Sequence, residues 1–201
     1  MRKPAPAGHA IHELLANRWS PRAFSTRLPS KETLATLFEA ARWAPSAYNE
    51  QPWRFIVATK EDPEAYGKVL ACLVEANQAW AASAPVLAIL VTKKTFTRNG
   101  KANGYAAHDG GLALENLMLQ AVAEGMFAHA MSGFDPDRVR ETFDVPDDYS
   151  PTTALALGYG GDPEQLEGDY RAMEVAPRER LPLTELVFSG TWGRTSPLVG
   201  D

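Results

Sequence analysis

The chain has 201 residues, of which 45% are hydrophobic and 22% are charged. This composition is ordinary for a globular protein and excludes a disordered chain. No uncharged apolar run approaches the roughly 18 residues that a membrane-spanning helix needs. The net charge of −5 argues against nucleic acid as the main partner, because phosphate contacts require a basic face.

Cysteine and histidine usage indicates the compartment and the absence of a metal site. The single cysteine, Cys72, cannot form an intrachain disulfide, which indicates a protein of a reducing cytoplasm. Residues 1–17 lack the apolar stretch of a secretory signal. The four histidines lack a paired metal-binding spacing, and no second cysteine completes a zinc site, so no metal centre is expected.

The first half of the chain predicts helices at residues 9–18, 30–44 and 63–83. Ser30 supplies an N-cap for the second helix, which should end before Pro45. Residues 53–57 are aromatic and β-branched and predict a strand. Residues 85–91 form a nearly unbroken apolar run, which is typical of a strand covered on both faces.

The second half predicts a long helix, two strands and a proline-rich arm. Apolar residues cover most of the circumference of the helix at 105–124, which indicates burial in a core or a subunit interface, and Gly125 should end it. Strands are expected at 127–131 and 152–157, with a helix near 135–143. The last 25 residues should run extended over a surface.

These elements predict one domain over residues 1–201. Because strands alternate with helices, its architecture should be α/β or α+β, with four or five strands.

Two arginines near the end of the first helix form the first candidate binding motif. Arg18 and Arg22 lie four residues apart, with the hydroxyl of Ser20 between them. Guanidinium groups present a planar fork of donors that fits a phosphate, so this segment could bind a phosphate dianion. A solvated helix end, where arginine is favourable next to the macrodipole, is the alternative interpretation.

Two amide side chains before the first strand form the second motif. Asn49 and Gln51 lie in a turn that Pro45 and Pro52 stiffen. Amides donate and accept hydrogen bonds, which suits the edge of a heteroaromatic ring such as a flavin. The alternative is an Asx-turn that caps its own backbone.

Together, the two motifs resemble the FMN-dependent nitroreductase family. That family opens with Arg-x-Ser-x-Arg/Lys-x-Phe, followed by Ala/Ser-Pro-Ser-x-x-Asn-x-Gln-Pro-Trp. The resemblance continues in segments similar to the family's central helix, its flavin-facing turn, its last core strand and its basic C-terminal element. These segments are residues 115–121, 132–135, 157–160 and 178–182.

The resemblance implies an α+β homodimer with a central sheet of four or five strands flanked by helices, a long buried central helix and an extended C-terminal arm. Two FMN molecules would lie at the subunit interface. The residues implied around the FMN phosphate are Arg18, Trp19, Ser20, Arg22, Arg178 and Arg180. Those implied around the flavin are Pro45, Ser46 and Asn49, reaching it from the partner subunit with Gln51 nearby, together with Asn77, Ser132 and Gly133.

The implied activity is that of an FMN-dependent NAD(P)H oxidoreductase. NADH or NADPH would reduce the flavin, and a nitroaromatic, quinone or similar planar acceptor would then react in the same pocket by a ping-pong mechanism. No side-chain acid or base is expected to be catalytic. Trp80 stands where some members have a lysine near the flavin, and residues 93–104 suggest a mobile loop at the mouth of the site, or a solvated connection.

Other functions remain open at this point. The same scaffold could carry flavin reduction, enone reduction or reductive dehalogenation. The chain could also be a flavin-binding module without turnover, or a dimeric interaction protein without a cofactor.

Overall fold

A four-stranded antiparallel sheet is the centre of the protein. A computed structural model of the chain describes residues 3–200. The strands are β1 (Trp53–Thr59), β2 (Val86–Lys93), β3 (Phe127–Met131) and β4 (Tyr149–Gly158), in the spatial order β1, β2, β4, β3. All neighbouring strands are antiparallel. The architecture is therefore α+β, with β1 and β3 at the two edges.

The central position of β2 explains its apolar sequence. From Val86 to Val91 no residue exposes more than 3% of its surface. Alternate side chains of this strand point to opposite faces of the sheet, and helices cover both faces. The expected strand with two buried faces is confirmed.

Seven α-helices accompany the sheet in the described residues. They are α1 (Glu13–Asn17), α2 (Lys31–Arg42), α3 (Pro63–Ala71), α4 (Glu75–Ala81), α5 (Ala106–Ala123), α6 (Pro136–Phe143) and α7 (Asp169–Val175). Ser30 caps α2 by accepting the N–H of Thr33 at 3.0 Å, as its sequence predicts. Gly125 follows α5 with φ of +70°, a conformation in which glycine is unstrained. No helix in this part of the chain is long and apolar enough to cross a membrane.

The core consists of two apolar layers, one on each face of the sheet. Leu37 of α2 and Leu117 of α5 pack with Leu90 on one face. Tyr66 of α3 and Trp80 of α4 pack with Ile89 on the other. Burial on both faces accounts for most of the stability of such a sheet, at roughly 25 cal/mol per Å² of apolar surface.

Two helix predictions need correction. The helix expected over residues 63–83 is two helices, because the chain leaves helical geometry after α3 to pair with the segment that follows β3. Leu73 forms an isolated bridge with Phe134, and the N–H of Val74 donates to the carbonyl of Gly133 at 3.1 Å. The helix expected over residues 9–18 is only the short α1. In the first case tertiary pairing overrides local helix propensity. In the second case the helix is little more than one turn, which propensity alone does not extend.

The long helix α5 is buried along one face only within the chain. Its buried residues include Ala113, Leu117 and Ala121, whereas Leu119 and Val122 remain half-buried. The sequence predicts burial around most of the circumference of this helix, in a core or a subunit interface, and the chain by itself supplies the core part of that burial.

Local turns interrupt the C-terminal arm that the sequence predicts over the last 25 residues. Helix α7 (Asp169–Val175) precedes this arm, a single helical turn occupies Leu183–Glu185, and Phe188 forms a bridge with Thr195. The connections between these turns run as an extended arm. Short turns without an apolar periodicity carry no clear sequence signal, which is why they were missed.

Candidate functional site

The turn that carries Arg18 and Arg22 lies along the outer edge of β3. The ring of Trp19 meets the ring of Phe127 edge-on, with centroids 5.9 Å apart. Two residues further on, the carbonyl of Pro21 accepts a hydrogen bond from Nδ1 of His129 at 2.8 Å. The turn therefore contacts two residues of the edge strand, Phe127 and His129, whose side chains lie on the same face of the sheet as Trp80.

The chain after this turn continues the sheet beyond β4. Phe24 forms a bridge with Gly160, and the N–H of Ser25 donates to the carbonyl of Tyr159 at 2.9 Å. A Cβ atom on Gly161 would lie 2.6 Å from the backbone of Phe24. Only glycine allows this close approach, which fixes the turn at the end of β4.

Arg18, Arg178 and Arg180 line a cavity of about 960 Å³ between the N-terminal and C-terminal segments. Burial, and next the charges of Arg18 and Arg180, lower the pKa of Arg178. Oε1 of Glu115 lies 3.9 Å from Nε of Arg18. Three guanidinium groups that repel one another form a site suited to an anion.

Arg178 also has a structural role. Its Nη1 donates to the carbonyl of Lys3 at 2.9 Å and to that of Ala16 at 2.7 Å. Only the remaining donors of this guanidinium are free for a ligand. Arg180 bonds the adjacent carbonyl of Glu179 at 2.7 Å and is otherwise exposed.

Two side chains that the sequence analysis missed hold the backbone of the arginine turn. Glu174 of α7 is only 2% exposed, and its carboxylate accepts the N–H of Arg22 at 2.8 Å and the N–H of Ala23 at 3.1 Å. His129 holds the neighbouring Pro21 from the other side. His129 is a polar residue within the apolar strand β3, which was a weak signal of a special role. Glu174 lies in a segment whose sequence carries no comparable pattern.

His129 is held in its neutral form. Burial, and to a smaller extent the nearby charges of Arg22 and Arg18, lower the pKa of His129 to about 4. Its ring packs on Trp80 with centroids 4.4 Å apart. Trp80 is 2% exposed and belongs to the core.

A second cavity, of about 300 Å³, lies at the C-terminal end of β3. It is lined by Val74, Asn77, Gly133 and residues 129–132. Asn77 donates from Nδ2 to the carbonyl of Gly133 at 2.9 Å. A Cβ atom at Gly133 would lie 2.5 Å from that Nδ2 and 2.9 Å from Cγ2 of Val74. The structure thus brings together three predicted site residues, Asn77, Ser132 and Gly133.

The Pro45–Gln51 segment forms a strained turn before β1. Tyr48, Asn49 and Gln51 have φ of +53°, +56° and +49°, a region that residues other than glycine rarely adopt. The hydroxyl of Ser46 accepts the N–H of Gln51 at 3.0 Å. The amide of Gln51 donates to the carbonyl of Asn49 at 3.1 Å, so part of this turn caps its own backbone. Strain of this kind is concentrated at functional sites.

The 93–104 segment forms a hairpin that packs on this turn. Thr95 forms a bridge with Ala102, and Thr97 bonds the carboxylate of Glu50 through its N–H at 2.8 Å and its hydroxyl at 2.5 Å. The guanidinium of Arg98 stacks on the ring of Tyr48 at 3.7 Å. The segment predicted as a mobile loop is therefore held by specific contacts.

The predicted site residues fall into two groups at opposite edges of the sheet. Arg18–Arg22, Asn77, Ser132 and Gly133 lie along β3, whereas residues 45–51 precede β1. Strands β2 and β4 separate these edges, a distance of roughly 14 Å at the usual strand spacing. The chain by itself does not bring the two groups together.

The β3 edge fits a phosphate-bearing aromatic cofactor such as the implied FMN. The indole Nε1 of Trp19 is buried and has no hydrogen-bond partner among residues 3–200. A buried N–H without a hydrogen-bond partner destabilises the folded protein. This N–H, beside the arginines, is therefore suited to bond an acceptor atom of a ligand. The absence of a side chain at Gly133 lets Asn77 and Val74 pack directly against its backbone.

Comparisons with known proteins identify the family of the chain. The sequence model of the nitroreductase family matches residues 15–159. The chain is therefore a member of the nitroreductase family. A crystal structure described as an oxidoreductase containing FMN is 36% identical and covers 93% of this chain and 95% of its own, with a TM-score of 0.88.

Curated relatives point in the same direction. An NADH dehydrogenase of Thermus thermophilus is 30% identical, over 77% of this chain and 83% of its own. A Xanthomonas oryzae protein with the provisional name NADH dehydrogenase/NAD(P)H nitroreductase is 31% identical, over 78% and 88%. A 15.4 kDa Mycolicibacterium smegmatis protein is 42% identical over 89 residues, 44% of this chain and 60% of its own length, which is less than two thirds.

Proposed function

We propose that this protein is an FMN-dependent NAD(P)H oxidoreductase of planar acceptors such as nitroaromatics and quinones. The observation that carries the proposal is the arginine turn at the edge of β3, where Arg18 lines the cavity shared with Arg178 and Arg180. Family membership and the similarity to a structure described as containing FMN support the cofactor. Bound FMN would supply the hydride chemistry.

The residues of this chain would bind and orient the cofactor. Arg18, Arg22, Arg178 and Arg180 would neutralise its phosphate, with Ser20 and Nε1 of Trp19 as further donors. Ser132 and Gly133 would present backbone to the flavin, beside Asn77. The turn that carries Arg22 is held by Glu174 and His129, so little ordering of this turn remains to be done when the cofactor binds. No side chain is assigned as a catalytic acid or base.

We also propose that the protein acts as a homodimer. The strained 45–51 turn is at the opposite edge of the sheet from the β3 site, so within one site it would come from the partner subunit. Leu119 and Val122 of α5 remain half-buried and provide apolar surface for such an interface.

A ping-pong mechanism follows if one pocket serves both substrates. NADH or NADPH would enter, reduce the cofactor and leave before the acceptor enters. The names of the Thermus thermophilus and Xanthomonas oryzae relatives support a nicotinamide donor. A cytoplasmic location is proposed from the single, buried cysteine.

The test is the visible spectrum of the purified protein, followed by anaerobic addition of NADH or NADPH. Flavin bands that bleach on addition of the nicotinamide support the oxidoreductase. Bands that persist with both donors would indicate a flavin-binding module without turnover. A protein that remains colourless after incubation with FMN would overturn the proposal. Parallel initial-rate lines with menadione and with a nitrobenzene would support the ping-pong mechanism.

A further inference from the structure

The arginine turn is held by two side chains that come from distant parts of the chain. Glu174 accepts the N–H groups of two consecutive residues, Arg22 and Ala23, at 2.8 and 3.1 Å. His129 donates to the carbonyl of the preceding residue, Pro21, at 2.8 Å. Two consecutive peptide groups, Pro21–Arg22 and Arg22–Ala23, are therefore fixed from α7 and from β3.

From this geometry, and resting on the proposed function, we infer that Glu174 and His129 are positioning residues for FMN. They hold the backbone of Pro21–Ala23 in the conformation that directs Arg18, Ser20 and Arg22 towards the phosphate. The cofactor contacts belong to the arginines and the serine. The role of Glu174 and His129 is to preorganise them.

The burial of Glu174 supports a role beyond general packing. A buried carboxylate is costly unless its oxygens are well bonded, and here each oxygen accepts one backbone N–H. Lys3 bonds the main-chain carbonyl of Glu174 at 2.7 Å, and its ammonium lies 4.9 Å from the centre of the Trp19 ring. The same contact network therefore joins Lys3 and α7 to the arginine turn.

His129 can act as the second support because its tautomer is fixed. A carbonyl oxygen can only accept, so Nδ1 carries the hydrogen that bonds Pro21. Packing on Trp80 keeps the ring in place. The described residues that place charge near this ring are Arg18 and Arg22, whose repulsion favours the neutral form.

Electrostatics and geometry predict opposite results for Glu174→Gln. This substitution removes a negative charge beside several arginines, which by itself strengthens the binding of an anion. It also replaces one acceptor oxygen with an NH₂ group that faces a backbone N–H, which breaks half of the support. Weaker FMN binding would therefore identify positioning as the dominant effect.

The experiment compares FMN with riboflavin, which lacks the phosphate, by flavin fluorescence quenching on the apoprotein. We expect Glu174→Gln to raise the Kd for FMN about ten-fold or more, with a change of less than about two-fold for riboflavin. Glu167→Gln, an exposed acid just before α7, is the matched control and should change neither. Equal losses for the two ligands, or no loss, would overturn the inference.

A second pair of variants decides the matter if Glu174→Gln does not fold. His129→Leu removes the donor to Pro21 and should weaken FMN selectively, whereas His129→Gln retains an N–H donor and should restore the preference for FMN. Identical FMN-to-riboflavin ratios in both variants and the wild type would contradict the positioning role. If the wild-type apoprotein binds no FMN, the proposed function itself fails, which is a distinguishable result.

Discussion

Asp109, in the first turn of α5, holds the backbone of Ala47 in the strained turn before β1. Its carboxylate accepts the N–H of Ala47 at 2.9 Å, and the acid is only 2% exposed. Nδ1 of His108 lies 3.0 Å from the other carboxylate oxygen. Helix α5 thus positions the segment that carries Ser46 and Asn49.

Asp109→Ala should destabilise the protein. The substitution leaves a part-buried backbone N–H without its acceptor, at a cost of about 1 to 3 kcal/mol. Urea unfolding monitored by circular dichroism measures the loss. Glu141→Ala, an exposed acid on α6, should stay within about 0.5 kcal/mol of the wild type. A free energy of unfolding unchanged by Asp109→Ala would show that this bond contributes nothing to stability.

Arg22→Ala should weaken the retention of FMN. Removing a charge-assisted contact to phosphate costs about 1.5 to 3 kcal/mol, which corresponds to a ten- to hundred-fold rise in Kd. Dialysis followed by absorbance of the retained flavin gives the occupancy. Arg138→Ala on the exposed face of α6 is the control. Unchanged occupancy in the Arg22 variant would remove this residue from the proposed phosphate site.

Gly133→Ala should disturb the cavity at the end of β3. The new methyl group would lie 2.5 Å from Nδ2 of Asn77 and 2.9 Å from Val74, so the bond from Asn77 to the Gly133 carbonyl must break. We expect a loss of about 1 to 3 kcal/mol in stability, together with weaker flavin binding. Thermal unfolding and flavin titration measure the two effects.

Gly67→Ala is the matched control for that substitution. Gly67 lies in α3, and a Cβ there meets nothing within 4 Å. Because alanine is favoured over glycine in a helix, this variant should be as stable as the wild type or gain up to about 1 kcal/mol. Similar losses in both variants would contradict the steric account of Gly133.

The neutral state of His129 predicts a stability that falls in acid. Its pKa is lowered from 6.5 to about 4 in the folded protein, so the unfolded chain takes up the proton first as the pH falls. The contribution of His129 is complete above about pH 6.5 and is lost towards pH 4, by up to about 3 kcal/mol. Unfolding of the apoprotein in urea at pH 7, 5.5 and 4.5 measures this loss.

His129→Gln should reduce this loss of stability in acid, because glutamine does not titrate yet can still donate to Pro21. His9→Gln, an exposed histidine, should leave the pH dependence as in the wild type. An equal loss of stability between pH 7 and pH 4.5 in the His129 variant would assign the acid sensitivity to other groups.

Much of the fold follows from local sequence. The alternating and continuous apolar runs at 53–57, 85–91, 127–131 and 152–157 predict all four strands. The burial of a strand produces a pattern of apolar residues that is visible within a few consecutive residues. Ser30 and Gly125 mark helix ends for equally local reasons. The motif residues of the candidate site were also identified from sequence, since each of the two motifs is short: Arg18, Ser20 and Arg22 form one, and Asn49 and Gln51 form the other.

Tertiary structure alone decided how those residues are supported and where they meet. The contacts of Glu174 with Arg22 and of His129 with Pro21 join residues 152 and 108 positions apart. The break between α3 and α4 arises from pairing with Gly133, which no local propensity encodes. The separation of the two motifs to opposite sheet edges follows from the strand order. Sequence patterns report the burial of each element, whereas partners distant in the chain are chosen by the packing of the whole sheet.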